Sequence, residues 1–112
     1  MDIQVRKAGE VTVLDLKGRL VLGHERKLLD TASQLIASGS RYLAVNLAEV
    51  PMMDSSGIGS VVKVHSSALR AGGKVHFFSA SEMVMQTLKM VRLDSLLHIH
   101  EDETTALAGF EN

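Results

Sequence analysis

The chain has 112 residues, the length of one domain, enough to bury roughly two-thirds of its extended surface around a single core. Twelve basic residues against thirteen acidic ones leave a net charge of -1, which argues against a broad electrostatic grip on nucleic acid or on anionic lipid. Without cysteine there is no disulfide framework or thiolate metal site, and no signal-like leader, bilayer-length apolar run or proline-rich linker is evident, so one soluble, cytoplasmic domain over residues 1–112 is expected.

The first segment alternates apolar and polar residues through Ile3 and Val5, then Val11, Val13, Leu14 and Leu16, with Ala8-Gly9-Glu10 between the runs, as in a β-hairpin. From Glu25 to Ser38 the period lengthens. Leu28, Leu29, Ala32, Leu35 and Ile36 share one helical face, and Gly39 closes the helix. Tyr42 to Leu47 reads as a strand covered on both sides, ended by Pro51. Helical spacing returns after Asp54 in Ile58, Val61, Val62, His65, Ala68 and Leu69 and stops at Gly72-Gly73. Lys74 to Phe78 is the next strand. Ser79 with Glu82 reads as a capping box that opens a helix through Val84, Leu88 and Val91. Leu97 to His100 forms a last short strand, and Leu107 with Phe110 gives the tail an apolar helical stripe. The order ββαβαβαβα predicts an α/β domain: a mixed, mostly parallel sheet with an N-terminal hairpin strand and four helices.

The informative segment is Met52-Met53-Asp54-Ser55-Ser56-Gly57-Ile58-Gly59, between a buried strand and a helix, the junction at which open α/β sheets usually meet their ligands. Asp54 or Ser55 would be the N-cap. Gly57 and Gly59 each cost a helix about 1 kcal/mol relative to alanine, which close approach of another backbone or tight packing on the sheet would offset. A serine at a helix N-terminus is well placed to accept a phosphoryl group, because the dianion faces backbone N–H donors and the positive end of the helix dipole. A capping role alone accounts for the same residues.

The run Val50-Pro51-Met52-Met53-Asp54-Ser55-Ser56-Gly57-Ile58-Gly59 resembles the signature of the STAS-domain anti-sigma factor antagonists, an apolar strand end leading into Asp-Ser-Ser/Thr-Gly-Ile/Leu-Gly. Asp15-Leu16-Lys17-Gly18-Arg19-Leu20, Gly72-Gly73-Lys74 and Glu101-Asp102-Glu103 agree in order and spacing, so the resemblance spans essentially the whole chain. It implies a single STAS-like domain that switches partners and is not an enzyme. The phosphoacceptor would be Ser55, modified by an anti-sigma factor that is also a serine kinase and restored by a metal-dependent phosphatase of the PP2C type. Asp54 would position the hydroxyl, Ser56 support the turn, and Gly57 and Ile58 belong to the docking surface with Met53 and Gly59. The resemblance implies no cofactor, no direct contact with nucleic acid or membrane, and a monomer or weak homodimer. Kinase-binding members often carry an acidic residue and then polar residues after Gly-x-Leu, whereas this chain reads Val21-Leu22-Gly23-His24-Glu25. Gly23, His24 and Glu25 are therefore the positions expected to set partner specificity. The alternative is a non-catalytic STAS scaffold subunit of a signalling or transport complex, with Ser55 as a cap.

Other chemistry is weakly signalled. Asp-Ser-Ser-Gly is not the Gly-x-Ser-x-Gly elbow of a hydrolase, and no feature aims one of the five histidines at Ser55. His98 and His100 share a strand face but lack an identifiable third metal ligand. His65 reads as a semi-buried core histidine. Gly57-x-Gly59 lacks the Gly-Lys-Ser/Thr of a phosphate loop. Met83, Met85 and Met90 read as core filling, with an adaptable contact surface as the alternative, and one of Met52 and Met53, which flank the turn, is expected to be exposed for partner packing.

Overall fold

A computed structural model describes residues 1–111. The chain forms β1 (Asp2–Ala8), β2 (Val11–Lys17), α1 (Glu25–Ala37), β3 (Tyr42–Glu49), α2 (Ser55–Arg70), β4 (Lys74–Phe78), α3 (Glu82–Met90), a 3-10 turn (Leu93–Ser95), β5 (His98–His100) and α4 (Glu103–Ala108). The expected ββαβαβαβα order is present, with the 3-10 turn added. One five-stranded sheet takes its strands in chain order. The β1–β2 hairpin is antiparallel, and β2, β3, β4 and β5 run parallel.

Because strand side chains alternate, the middle strands supply two cores. Leu14, Leu16, Leu43, Val45, Leu47, Val75 and Phe77 meet Leu28, Ala32, Val61, Val64, Val84 and Leu88 of α1, α2 and α3. On the opposite face Val11, Val13, Ala44 and Phe78 are covered by Ala106, Leu107 and Phe110, from α4 and the chain just after it. Three helices thus lie on one side and one short helix on the other. This explains why Tyr42 to Leu47 reads as apolar on both faces.

Some boundaries differ from expectation. Ser81 caps α3, its hydroxyl accepting from the Val84 N–H, while Ser79 lies in the left-handed region at φ 59°. Val91 is past the end of α3 and half exposed. Met85 packs against the core, but Met83 and Met90 are 61% and 84% exposed, so they are not core filling. Both fall on the outer face of α3, which the sheet does not cover.

Helix α4 is tied to the hairpin by Arg6. Its guanidinium donates to Asp15 (2.7 and 3.2 Å) and to Glu103 (3.0 and 2.6 Å), and Asn46 donates a further bond to Asp15 (2.9 Å). The hydrogen bonds from Arg6 hold both carboxyls below the usual carboxylate range. All three side chains are partly solvated, and the network is screened accordingly. Arg6→Ala is expected to cost about 1 kcal/mol in urea denaturation, with the loss diminished in high salt; a salt-independent loss would assign the effect to packing of the arginine stem.

Candidate functional site

The C-terminal ends of β2 and β3 splay into two loops that continue side by side. The strand register shifts between Asp15 and Lys17, after which Gly18 donates to the Glu49 carbonyl (3.0 Å) and Leu20 to that of Met52 (3.1 Å). Leu20 and Met53 form an isolated parallel bridge. Both are buried, which fixes the loops on the core.

Asp54 joins the loops to α2. It is the N-cap, in extended backbone, and Oδ1 accepts from the Ser56 and Gly57 N–H groups (2.9 and 3.0 Å). Its other oxygen accepts from the Leu22 N–H (3.0 Å), across the gap between the loops. The Leu22, Gly57 and Ser56 N–H donors keep the Asp54 carboxyl below its ordinary range, so it is anionic at neutral pH. Of the two candidate caps, the structure assigns the role to Asp54.

Ser55 is thereby left as the first residue of a 16-residue helix, with an exposed side chain. The expectation that a phosphoryl group would face free first-turn donors needs correction. Asp54 already takes the N–H groups of Ser56 and Gly57, so a phosphate on Ser55 would stand beside a carboxylate.

The two glycines differ. Gly57 is buried, and a Cβ there would collide with the Leu20 carbonyl oxygen. Gly59 is exposed, with nothing within 4 Å of a Cβ. Only Gly57 is required by close approach of another backbone. Ser60 donates to the Gly57 carbonyl (2.7 Å) and completes the buried side of the turn.

The other expected contact residues separate into two groups. Met53 is buried and supports the loops, and Gly57 is buried too, so neither presents an exposed side chain at the site. Ile58 is half-buried against the core. Ser56 is half-buried, and Gly23 and His24 are exposed. Gly23 takes a positive φ of 91°, which turns the loop into α1. Glu25 begins α1 partly buried, with Oε2 inaccessible and unpaired. Of the Met52–Met53 pair, Met52 is the exposed member at 37%, and sequence reasoning passed over Leu22, which is 74% exposed. An apolar side chain in the turn between Gly18 and Gly23 was the available signal for Leu22; its N–H bond to Asp54 emerges only from the fold.

The hydrogen bonds of Asp54 are to backbone N–H groups of the cap and loop, an arrangement that fixes structure and does not orient a base. No group of three His, Cys, Asp or Glu side chains suited to a metal ion occurs among the described residues. No helix among them is long and apolar enough to cross a membrane. The histidines instead meet elsewhere. His98 and His100 are joined by His76, which strand alternation alone did not single out.

Solved structures share this architecture. A candidate anti-sigma factor antagonist from Thermotoga maritima superposes with a TM-score of 0.92 at 19% identity, over 98% of this chain and 95% of its own. SpoIIAA, an anti-sigma factor antagonist, matches in its unphosphorylated form with a TM-score of 0.71 at 21% identity, covering 96% and 94% of the two chains. The phosphorylated form of SpoIIAA from Bacillus matches with a TM-score of 0.74 at 20% identity, over 96% and 98%. At such identities the likeness is one of fold. The family model described as the STAS domain matches residues 2–106, nearly the entire chain, and so the protein belongs to the STAS domain family.

Proposed function

We propose that this protein is an anti-sigma factor antagonist that works by partner switching. With a free Ser55 hydroxyl it binds a cognate anti-sigma factor serine kinase in the cytoplasm and so releases a sigma factor. Once Ser55 is phosphorylated it lets the kinase go, and a PP2C-type phosphatase resets it. The protein binds and is modified; it does not itself turn over a substrate, and it needs no cofactor.

The observation that carries this reading is the placement of Ser55, an exposed hydroxyl at the first position of α2, outside a cap that Asp54 completes without it. Exposed Leu22 lies on the neighbouring loop, tethered to Asp54, and exposed Met52 lies just ahead of it. Apolar contacts with a fixed position are suited to a partner surface. A phosphate brings a charge of about -1.5 to -2 beside the Asp54 carboxylate, and desolvating that pair in an interface is unfavourable unless the partner supplies cations. Binding and modification thus oppose each other at one place.

The direct test is to co-purify the cognate kinase with the tagged protein, add radiolabelled ATP and locate the label by mass spectrometry. The expected result is about one phosphate per chain on Ser55, absent from Ser55→Ala, with dissociation of the complex. An unlabelled protein in a constitutive complex would instead identify the scaffold role.

A further inference from the structure

Three of the five histidines lie together at the β4–β5 side of the sheet, beneath the chain that follows α4. The ring of His76 on β4 lies 4.6 Å from that of His98 and 4.9 Å from that of His100, centroid to centroid, with planes 22° and 12° apart. His76 Nδ1 and His100 Nε2 are 2.9 Å apart. His76 is only 4% exposed, and the cover over it comes from the C-terminal segment. The Phe110 ring sits 4.1 Å from it, and a Cβ at Gly109 would come within 2.6 Å of its Cε1.

Such a cluster tolerates few protons. The 2.9 Å contact requires one nitrogen to donate and the other to accept, so it survives with one extra proton on the pair. A second extra proton leaves two N–H groups facing each other. The surroundings supply little compensation. Lys74 on β4 adds positive charge, and His65 on α2 lies within electrostatic reach of His98. Asp102, the cap of α4, favours a charged His100, and the Ala106 backbone favours a charged His76. Glu103 is committed to Arg6, and β3 presents Ala44 beside His76 and Tyr42 against Phe110.

The geometry points to a proton-operated latch: charging the His76–His100 pair detaches the Gly109–Phe110 end of the C-terminal segment from the sheet, while Arg6 retains the Glu103 end. Release would uncover the apolar face of Val11, Val13, Ala44 and Phe78. Burial, then His98 and His100, push His76 down from 6.5 to about 4. A detached, solvated His76 titrates near 6.5. The detached form therefore binds more protons, and the attached form loses its advantage as pH falls from about 6.5 towards 4, levelling off below that. Asp15 and Glu103, held low by Arg6, remain ionised over most of this window, so the two ends of the segment respond differently.

The test is amide hydrogen exchange, expressed as protection factors, between pH 7.5 and 4.5. Protection across residues 106–110 should fall roughly fiftyfold, while residues 28–36 and 61–68 hold theirs. Tyr42, the sole tyrosine in a chain without tryptophan, rests 5.4 Å from the Phe110 ring, and its fluorescence should change over the same range. His76→Phe should remove the pH response. If that variant does not fold, His100→Gln, which can hydrogen-bond but cannot charge, should reduce the loss several-fold. Protection that ignores pH, loss in step with α1 and α2, or an undiminished response in His100→Gln would each overturn the latch.

Discussion

Gly57→Ala is expected to lower the unfolding free energy by about 3 kcal/mol, and Gly59→Ala to raise it by about 0.5–1 kcal/mol. Both glycines occupy the first turns of the same helix, and on propensity alone both substitutions would stabilise. The added methyl meets different surroundings. At position 57 it runs into the Leu20 carbonyl oxygen and approaches the Met53 side chain, and backbone cannot rotate aside as a side chain can. At position 59 it enters open space. Urea denaturation of the two variants against wild type measures both signs at once. If Gly57→Ala proved neutral, the contact between the Leu20 loop and α2 would be looser than described. The damage at 57 should also reach the site, because Leu20 and Leu22 lie on one loop and the Leu22 N–H bond to Asp54 depends on its position. Exchange protection of the Leu22 amide should fall together with stability.

The second large effect concerns binding. Ser55→Asp should weaken the complex with the cognate kinase at least ~10-fold, about 1.4 kcal/mol, by adding a carboxylate beside Asp54 at the contact. Leu22→Ser should weaken it by a similar factor for a different reason, the loss of an apolar anchor. Neither residue supports the core. Leu22 is largely exposed and Ser55 lies outside the cap, so denaturation midpoints should remain close to wild type. Isothermal titration calorimetry separates the causes: the Ser55→Asp defect should vary with salt, and the Leu22→Ser defect should not. Full affinity in Ser55→Asp would remove charge as the basis of release. Full affinity in Leu22→Ser would move the contact to another face, of which the outer side of α3 with Met83 and Met90 is the most exposed apolar example.

Much of this architecture was legible because period and punctuation agree. The five apolar positions of α1, the doubly covered pattern of β3 and the Gly72-Gly73 stop after α2 each follow from local rules. Asp54 was legible as one of two caps, since a carboxylate before a helix has few other uses. What escaped depended on distant packing. Ser79 and Ser81 both precede a helix, and Ser79 gave the better Ser-x-x-Glu match, yet its left-handed backbone removes it from the cap. Met52 and Met53 are adjacent and chemically identical. Only the bridge to Leu20 decides that Met53 turns inward. His76 looked like an ordinary polar alternate of a strand until the tail folded over it. The requirement for Gly57 likewise comes from a carbonyl 37 residues away in sequence.

The strand order has a consequence for self-association. A sheet laid down in chain order has two open margins, and an open margin is a template for recruiting another strand. Here one margin is β5, only three residues long, and the other is β1, where Asp2, Arg6 and Lys7 interrupt a mostly exposed face. Short length protects the first and mixed charge the second. Even in a crowded cell, copies of this chain should therefore resist zippering edge to edge into fibrils.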